Sequence, residues 1–561
     1  TSKLSSAEIL GSEIASPSRG ICGRFGDLIP SQYLAAPERH RLVQLQLDTA
    51  EIPPHVERVS DGLVWITAAL KFETKLGRGR AVVRLVDLDG KASWRAFSLY
   101  AALHEIIGSE EAIGSRRPQG GNFGTVGEGL QPTWQERREK QVDFTDKDPD
   151  VVIIGAGKQT FQTCLSALSL IQYEQAKADS MSQRAYRTLV LHDPVDVCHM
   201  PYLPFPVTWP LYTPKDKLAD WLETYASVLE LNVWTKSSIE SAAYNDQSGN
   251  WDVKISRNIG GQVSVRSLKP RHVIMATGHA GEPLIPKFPG QGNFKGQVYH
   301  ASTHTDTSNS DVKNRKVVVV GTGNSGHDIA QNYHENGADV TLIQRGGTVI
   351  TADSCTKIMW NLGRGDSHPK PSLETGDLFG HSLPIPIQFA ISQKVTNLVR
   401  EADKPLLDGL VKAGFSLDFG AEGSGLRRQY LTRGGGYYID VGCSQLIADE
   451  LIKVKGCAEG IAGFDPTGLV LKNGDSVPAD IVVMATGYDN MRTSVRKALG
   501  DSVANRCQDV WDLDTEGELN AVWRPSGHPG FWYMAGNLAL CRPYSKVIAL
   551  QIKARELGLV R

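Results

Sequence analysis

This 561-residue sequence has few cysteines, no long apolar run and no excess of charge of one sign. Its eight cysteines are scattered, without a CxxC pair or metal-ligand spacing, which favours reduced thiols and predicts no metal site. The same scatter argues against a disulfide-reductase mechanism, which needs two close cysteines. No run of 18 apolar residues occurs, so no membrane span is expected. With 60 basic and 62 acidic residues the formal net charge is −2, so the basic surface typical of nucleic-acid binders is not expected.

The composition that remains is typical of a large globular protein that acts on small molecules. Hydrophobic residues make up 41% and charged residues 22% of the chain, which is the usual globular range. The length exceeds what one hydrophobic core ordinarily serves, so two or three domains, or one large enzyme fold with two nucleotide sites, are predicted. Residues 1–30 lack a charged segment followed by an apolar one, so a cytoplasmic location is expected.

The clearest motif is a glycine-rich turn that follows a strongly apolar run. Val317–Val320 predict a buried strand, and Gly321, Gly323 and Gly326 follow in the GxGxxG spacing. The first glycine allows a tight turn, the second lets backbone amides approach a pyrophosphate, and the third permits close packing of helix on strand. Asn324 and Ser325 open the helix, whose amides and dipole favour a phosphate. A glycine turn in an unrelated α/β domain is the alternative.

The residue after the next predicted strand indicates which nicotinamide cofactor the site prefers. The strand that begins at Asp339 ends in Gln344 and Arg345, where a site specific for NAD usually has a carboxylate. A guanidinium at that place can pair with the 2′-phosphate of NADPH. The sequence therefore predicts an NADPH site that contains Arg345.

A second, less regular glycine turn occurs earlier in the chain. The apolar strand from Asp150 leads into Gly155 and Gly157, but Thr160 occupies the position of the third glycine. Residues 161–185 predict one long polar helix, and Asp193 is a late candidate for a ribose partner. Two interpretations stay open: a working FAD site, and a degraded turn with only a structural role.

The chain ahead of this turn has a different pattern. The segments 63–68 and 80–86 predict strands, and residues 93–107 predict a strand that ends as a helix. A glycine- and proline-rich linker follows at 108–148. We expect a small α+β domain here, whereas the alternating strands and helices from residue 148 onwards predict parallel sheets.

Several short motifs together resemble those of the class B flavin-dependent monooxygenases. The segment Phe294–His300 resembles that family's FxGxxxH motif, and Ala276-Thr-Gly278 and Ala485-Thr-Gly487 resemble its paired ATG motifs. The nearest likeness is to fungal enzymes of the plant YUCCA type, which carry an N-terminal extension similar to the NTF2 fold. The segment Trp94–Phe97 resembles the end of that extension, and Gly536-Asn537 resembles the start of the family's closing helix. His304 stands where Baeyer–Villiger enzymes of the family have Trp, which disfavours ester formation.

The resemblance implies a fold, a domain order and a reaction. The fold is α/β, with two Rossmann-like dinucleotide-binding domains, of FAD type and NADPH type, preceded by a small α+β NTF2-like domain. The corresponding limits are 1–145 for the NTF2-like domain and linker, 146–290 with 440–561 for the FAD-type domain, and 291–439 for the NADPH-type domain. The reaction implied is insertion of one oxygen atom of O2 into a small organic substrate through a C4a-hydroperoxyflavin, as in fungal secondary metabolism.

The resemblance also implies site residues and partners. His300 and Arg345 are the candidate catalytic residues, although a lone histidine is as often a structural core residue. The expected cofactors are FAD and NADPH, the expected partners are O2 and a small-molecule substrate, and a homodimer is a candidate assembly. The candidate cofactor-binding residues are Gly155, Gly157, Gly278, Gly321, Gly323, Asn324, Ser325, Gly326, Arg345, Gly487 and Asn537.

The irregular segment 158–187 keeps a second function open. It lacks the family's third glycine, the acid after the second strand, and the Gly-Asp-x-Trp-Arg loop. A protein that has lost FAD could use its nicotinamide site for regulation, or the old cleft for a flavin-free reaction. Absorbance of the purified protein near 450 nm separates these alternatives.

Overall fold

The structure is a computed structural model that describes a defined part of the chain. The described residues are 42–60, 63–87, 94–118, 120, 132–155, 170–173, 189–305, 307, 311–352, 354, 358 and 371–560. The chain divides into two compact units. The smaller unit takes residues 1–134, 361–384 and 543–561, and the larger unit takes 135–360 and 385–542. No described helix has the length and apolar character needed to cross a membrane.

The smaller unit is built on an antiparallel sheet. Its strands follow the order β1-β3-β4-β5, and β2 pairs with β3. One face is apolar, with Ile66, Leu70, Val83 and Leu85 in a common core, because alternate residues of a strand point to the same side. The strands are β1 (Leu42–Leu47), β2 (His55–Ser60), β3 (Leu63–Thr74), β4 (Gly77–Asp87) and β5 (Trp94–Ile106).

The larger unit contains two parallel sheets and several small ones. The first parallel sheet has the order β10-β7-β6-β14-β26. Its central strands β6 and β14 are buried along their whole length, as expected for parallel strands covered on both faces. The strands up to β14 are β6 (Val151–Ile154), β7 (Leu170–Tyr173), β8 (Val190–Pro194), β9 (Tyr212–Pro214), β10 (Val233–Trp234), β11 (Ser237–Asn245), β12 (Asn250–Ile259), β13 (Gln262–Leu268) and β14 (His272–Met275).

The second parallel sheet has the order β15-β25-β16-β17-β21. The Val317–Val320 run lies in its central strand β16, and these four residues are 0–8% exposed. Strand β25 lies in the range that the sequence assigns to the FAD-type domain, and the domain limits stay a prediction. The strands are β15 (Gln297–His300), β16 (Lys316–Val320), β17 (Asp339–Gln344), β18 (Thr348–Thr351), β19 (Leu417–Asp418), β20 (Tyr437–Ile439), β21 (Lys453–Gly456), β22 (Ile461–Asp465), β23 (Gly468–Leu471), β24 (Ser476–Pro478), β25 (Ile481–Met484) and β26 (Phe531–Tyr533).

Helices cover the parallel sheets and connect their strands. Two Rossmann-like sheets in one mixed α/β chain confirm the predicted fold class at that level, while the NTF2-like identity of the first domain stays a prediction. The helices are α1 (Trp134–Asp143), α2 (Val195–Cys198), α3 (Lys215–Val228), α4 (Asn324–Glu335), α5 (Leu373–Gly380), α6 (Ile385–Ala402), α7 (Lys404–Lys412), α8 (Gly425–Arg433), α9 (Cys443–Ala448), α10 (Met491–Leu499), α11 (Asp501–Ala504) and α12 (Leu538–Glu556).

Two predicted helices are wrong in part. The single helix predicted over 161–185 is interrupted by β7, which pairs with β6 and β10 in the first parallel sheet. The helical end predicted for 93–107 is strand β5, which pairs with β4 from Trp94 to Ile106. In both cases pairing with a neighbouring strand overrides the local preference, because strand formation depends on tertiary partners more than helix propensity does.

Candidate functional site

The three glycines of the turn between β16 and α4 have different structural roles. A Cβ on Gly321 would lie 2.3 Å from the carbonyl oxygen of Ala485, and the φ of Gly321 is +115°. A Cβ on Gly326 would lie 2.1 Å from the carbonyl oxygen of Gly321. A Cβ on Gly323 would meet only the carbonyl oxygen of Tyr437, at 3.8 Å. Gly321 and Gly326 are therefore required by the packing of the turn itself, whereas Gly323 leaves an open approach to the backbone.

Helix α4 begins directly at this open place. Gly323 is its N-cap and provides no side-chain hydrogen bond to the helix. The side chain of Asn324 is engaged elsewhere, since its Oδ1 accepts a hydrogen bond of 2.9 Å from the backbone N–H of Ile439. Ser325 is exposed. The start of a 12-residue helix, without a side-chain cap at its N-cap position, has the geometry and polarity that bind phosphate.

Two adjacent residues at the end of β17 have different roles: Gln344 is structural, and Arg345 is exposed to solvent. The buried amide of Gln344 accepts a hydrogen bond from the Ser416 N–H at 2.7 Å and donates one to the Ser416 carbonyl at 2.8 Å. Arg345 is exposed and forms no ion pair with any residue that the structure describes. The guanidinium beside the turn is thus available to an external anion.

The first parallel sheet holds the candidate residues of the FAD side. Gly155 has a φ of +119°, and a Cβ there would lie 2.5 Å from the carbonyl oxygen of Ala276, so only glycine fits. Gly157 lies outside the described residues. Gly278 and Gly487 have φ values of +115° and +83°, and a Cβ on either would meet no atom within 4 Å. Both ATG turns therefore border open space.

Asn537 forms a junction at the start of α12. Its Oδ1 accepts a hydrogen bond from the Leu540 N–H at 3.1 Å, which caps the helix, and its Nδ2 donates to Asp193 Oδ2 at 3.0 Å. Its backbone N–H donates to the Tyr430 hydroxyl at 2.8 Å. Asp193, the candidate ribose partner, is thus bound to Asn537 in this structure. The side chain of Asn537 joins β8 to α12.

The buried ring of His300 connects the end of β15 to the second ATG turn. Its Nδ1 accepts a hydrogen bond from the Ser302 N–H at 3.1 Å, and its Nε2 donates to the Gly487 carbonyl at 3.2 Å. Burial lowers the pKa of His300, and the bond to Gly487 opposes that shift. A neutral imidazole satisfies both contacts. The geometry assigns His300 a positioning role, and its predicted catalytic role stays a prediction.

A separate cavity of about 410 Å³ lies away from these turns. Its lining includes Tyr299, His304 and Tyr333 but none of the predicted cofactor residues. His304 Nδ1 accepts a hydrogen bond from the Tyr299 hydroxyl at 2.8 Å, and its Nε2 donates to Asn332 Oδ1 at 3.1 Å. The residue at the position of the Baeyer–Villiger tryptophan is therefore part of a buried hydrogen-bond network.

His327, which no sequence motif singled out, holds the turn between β16 and α4 in place through a hydrogen bond to Gly323. Its fully buried ring stacks on Tyr438 at 3.9 Å, and its Nδ1 donates to the Gly323 carbonyl at 3.1 Å. Burial lowers the pKa of His327 to about 4, so the ring is neutral at pH 7. Its position directly after the third glycine was visible in the sequence, but the packing of Tyr438 against it was not.

An ion pair that the sequence also missed links β8 to helix α4. His192 Nε2 lies 3.4 Å from Asp328 Oδ2, and their side chains are 12% and 8% exposed. Burial alone would lower the pKa of His192, but its hydrogen bond to Asp328, with the charges of Asp328 and Asp193, raises it. Adjacent residues of β8 thus contact two helices, because Asp193 binds Asn537 at the start of α12 while His192 binds Asp328 of α4.

This ion pair predicts a pH-dependent contribution to stability. Because the folded pKa of His192 is raised, the contribution is complete below the unfolded pKa and is lost as the pH rises through the folded value. In a double-mutant cycle of His192→Gln and Asp328→Asn, we expect a coupling energy of about 1.5–3 kcal/mol at pH 6 and clearly less at pH 9. Urea unfolding at both pH values measures it.

The exposed pair Lys453 and Asp339 supplies the control. Its atoms are 2.7 Å apart, but its side chains are 60% and 46% exposed, so its coupling should not exceed about 1 kcal/mol at either pH. Equal coupling of His192 and Asp328 at pH 6 and pH 9 would contradict the assignment.

Comparison with known proteins places this geometry in a family. A family model described as "Flavin-binding monooxygenase-like" matches residues 163–360. "Indole-3-pyruvate monooxygenase YUCCA1" of Oryza sativa subsp. japonica is 30% identical over 382 residues, which are 65% of this chain and 82% of that protein. "Probable indole-3-pyruvate monooxygenase YUCCA8" of Arabidopsis thaliana is 28% identical over 344 residues, covering 60% of this chain and 74% of that protein.

A solved structure shares the fold. The crystal structure of OTEMO in complex with FAD and NADP has a TM-score of 0.50 and 16% identity, and the match covers 74% of this chain and 86% of that one. The identity with the rice protein, over most of its length, decides the family. This chain belongs to the flavin-binding monooxygenase-like family, the flavin-dependent monooxygenases.

Proposed function

We propose that the chain uses NADPH and FAD to insert one oxygen atom of O2 into a small organic substrate. The observation that carries the proposal is the turn between β16 and α4, where Gly323 leaves the backbone open and Arg345 is free of ion pairs with the described residues. The open helix start suits a pyrophosphate, and the guanidinium suits a 2′-phosphate. When bound, FAD reduced by NADPH supplies the oxygen-activating chemistry.

The residues of the chain orient the two cofactors and keep their turns in place. Gly321, Gly323, Ser325, Gly326 and Arg345 would hold NADPH. His327 and Asn324 position this turn through the Gly323 carbonyl and the Ile439 N–H. Fixed groups of this kind contribute to catalysis by holding reactants in one geometry.

The FAD side would use the open turns of the first parallel sheet. Gly155, Gly157, Gly278 and Asn537 are the residues we assign to it, with Gly487 at the second ATG turn. The substrate would be small, and indole-3-pyruvate, named for the plant relatives, is the first compound to test. A cytoplasmic location and a homodimer belong to the same proposal.

The test combines a spectrum with a turnover assay. Purified protein supplemented with FAD should absorb near 450 nm, oxidise NADPH and consume O2, with more product when indole-3-pyruvate is present. Colourless protein that still binds NADP+ would instead favour the flavin-free alternative. Protein that binds neither cofactor would overturn the proposal.

The open position of Gly323 predicts a variant that folds but does not bind. In Gly323→Ala the new Cβ meets no atom closer than 3.8 Å, so the stability cost should not exceed about 1 kcal/mol. The methyl group would occupy the approach of the pyrophosphate, so we expect NADP+ affinity to fall by at least about tenfold, the loss of one charge-assisted hydrogen bond. Titration of NADP+ and urea unfolding measure the two effects.

Gly292→Ala is the matched control. A Cβ on Gly292 would meet no atom within 4 Å, and Gly292 lies in the same unit, so neither stability nor affinity should change. NADP+ binding by Gly323→Ala equal to that of the wild type would place the dinucleotide elsewhere.

A further inference from the structure

The two segments with the ATG motifs connect the two parallel sheets of the larger unit. The chain passes from the first sheet to the second after β14 and returns after β25. The two segments are also bonded to each other. The Gly281 N–H donates to the Asp489 carbonyl at 2.8 Å, and the Leu284 N–H donates to the Gly487 carbonyl at 3.0 Å. The amides of Gly281 and Leu284 therefore report directly on the contact between the two ATG segments.

A third segment, residues 510–512, binds both of them. Asn490, which follows the second ATG turn, bonds twice to Val510: its Oδ1 accepts from the backbone N–H at 3.2 Å, and its Nδ2 donates to the carbonyl at 2.7 Å. The indole Nε1 of Trp511 donates to the carbonyl of His279 at 3.0 Å, directly after the first ATG turn. One short segment thus holds both ATG segments through side-chain hydrogen bonds.

The indole of Trp511 also contacts the helix that leads to α12. Its ring lies 5.7 Å from the ring of Tyr430, and a Cβ on Gly434 would lie 3.2 Å from it. The Tyr430 hydroxyl accepts a hydrogen bond from the Asn537 N–H at the start of α12. Both ATG turns and the start of α12, the elements that we assign to FAD, are therefore linked through the surroundings of Trp511.

The backbone of this segment is strained. Trp511 and Asp512 have φ values of +70° and +61°, in the left-handed region that bulky side chains rarely adopt. Two hydrogen bonds keep it there: the Asp512 N–H donates to the Leu431 carbonyl at 3.2 Å, and Asn520 Nδ2 donates to the Trp511 carbonyl at 3.1 Å. Strained residues of this kind persist where neighbouring contacts fix them, and they are concentrated at functional sites. The contacts of the indole explain why a tryptophan, and not a glycine, suits this position.

We propose that Trp511 is a positioning residue for FAD, which together with Asn490 fixes both ATG turns and the start of α12 in the arrangement that binds the cofactor. The inference rests on the proposed function, because it takes FAD as the ligand of these turns. A Cβ on Gly278 or Gly487 would meet no atom within 4 Å, so both turns leave their backbone open to a ligand. Among the described residues, neither side chain has a hydrogen bond to the turn between β16 and α4.

Hydrogen exchange of the full chain without cofactors tests the link itself. Trp511→Phe keeps an aromatic ring but loses the Nε1 donor. Asn490→Asp keeps the oxygen that caps α10 through the Arg492 N–H, but loses the Nδ2 donor. In both variants we expect the Gly281 and Leu284 amides to exchange about 2–10-fold faster, the effect of one lost hydrogen bond on local opening. Exchange in β16 should stay as in the wild type.

Titration with each cofactor tests the role in binding. Since fewer molecules have the binding arrangement, the apparent Kd for FAD should rise about 2–10-fold in both variants, while the Kd for NADP+ should change less than about twofold. A residue that only stabilises the fold would not separate the two affinities. If Trp511→Phe does not fold, Asn490→Asp decides.

Trp251→Phe is the matched control. Trp251 is a buried tryptophan of the same unit, and its Nε1 donates to a backbone carbonyl, that of Gly530, at 2.9 Å. Its loss should change neither the exchange of Gly281 and Leu284 nor the Kd for FAD. Unchanged exchange in the Trp511 and Asn490 variants, or equal losses of FAD and NADP+ affinity, would overturn the role of Trp511 alone. Wild-type protein that does not bind FAD would overturn the proposed function together with this inference.

Discussion

Gly326→Ala is expected to destabilise the NADPH-side turn and to abolish NADP+ binding. The new Cβ would lie 2.1 Å from the Gly321 carbonyl oxygen and 2.9 Å from its carbonyl carbon, both backbone atoms that cannot move aside. Helix α4 must then shift away from β16, which disrupts the packing of Ile329 and Ala330 in the core beneath it. Overpacking of this kind costs about 1–3 kcal/mol, and the displaced helix start loses its alignment with the pyrophosphate.

Urea unfolding and NADP+ titration together measure this outcome. Gly326→Ala should lose both stability and affinity, Gly323→Ala mainly affinity, and Gly292→Ala neither. The order distinguishes a glycine needed for packing from one needed for access. A Gly326→Ala protein as stable as the wild type, with normal NADP+ affinity, would contradict the geometry of the turn.

Arg345→Ala is expected to reduce the preference for NADPH over NADH. If the guanidinium binds the 2′-phosphate, its removal costs a charge-assisted contact of about 1.5–3 kcal/mol, or roughly a 10–150-fold higher KM for NADPH. NADH has no such phosphate, so its KM should change less than about twofold. Steady-state oxidation of both cofactors measures the ratio, and Arg345→Lys should recover part of it, since an ammonium keeps the charge but loses the bidentate geometry.

The control for this substitution is Arg315→Ala. Arg315 is an exposed arginine directly before β16, at the opposite end of the strand from the glycine turn. Arg315→Ala removes the same charge from the same sheet, and it should leave the KM for NADPH and the KM for NADH unchanged. Equal increases in KM for NADPH and NADH in Arg345→Ala would reject the assignment to the 2′-phosphate.

The NADPH-side turn could be predicted from the sequence because its requirements are local. Glycine spacing, a buried β-branched strand and a following helix are encoded within about a dozen residues, and the structure has β16 and α4 at those positions. The FAD side was harder to predict, because β7 forms only through its parallel neighbours β6 and β10. Gly157 and most of the irregular segment 158–187 lie outside the described residues.

The roles of individual polar residues could not be obtained from local pattern. His300 stands in a recognisable motif, yet its contact with Gly487 joins segments nearly 190 residues apart. His192 and Asp328 are separated by more than a hundred residues and meet only because β8 reaches helix α4. Gln344 occupies the place of an acid in the sequence, but its amide is committed to the backbone of Ser416.

The sequence by itself determined the family, the turn between β16 and α4 and the position of Arg345 directly after β17, because each depends on residues close together in the chain and on backbone sterics that any such segment obeys. The tertiary structure alone decided which polar groups are satisfied, such as His192 by Asp328 and Asn537 by Asp193. The physical reason is that hydrogen bonds and ion pairs act over a few ångströms in space. Their energy depends on burial, which a linear pattern of residues does not contain.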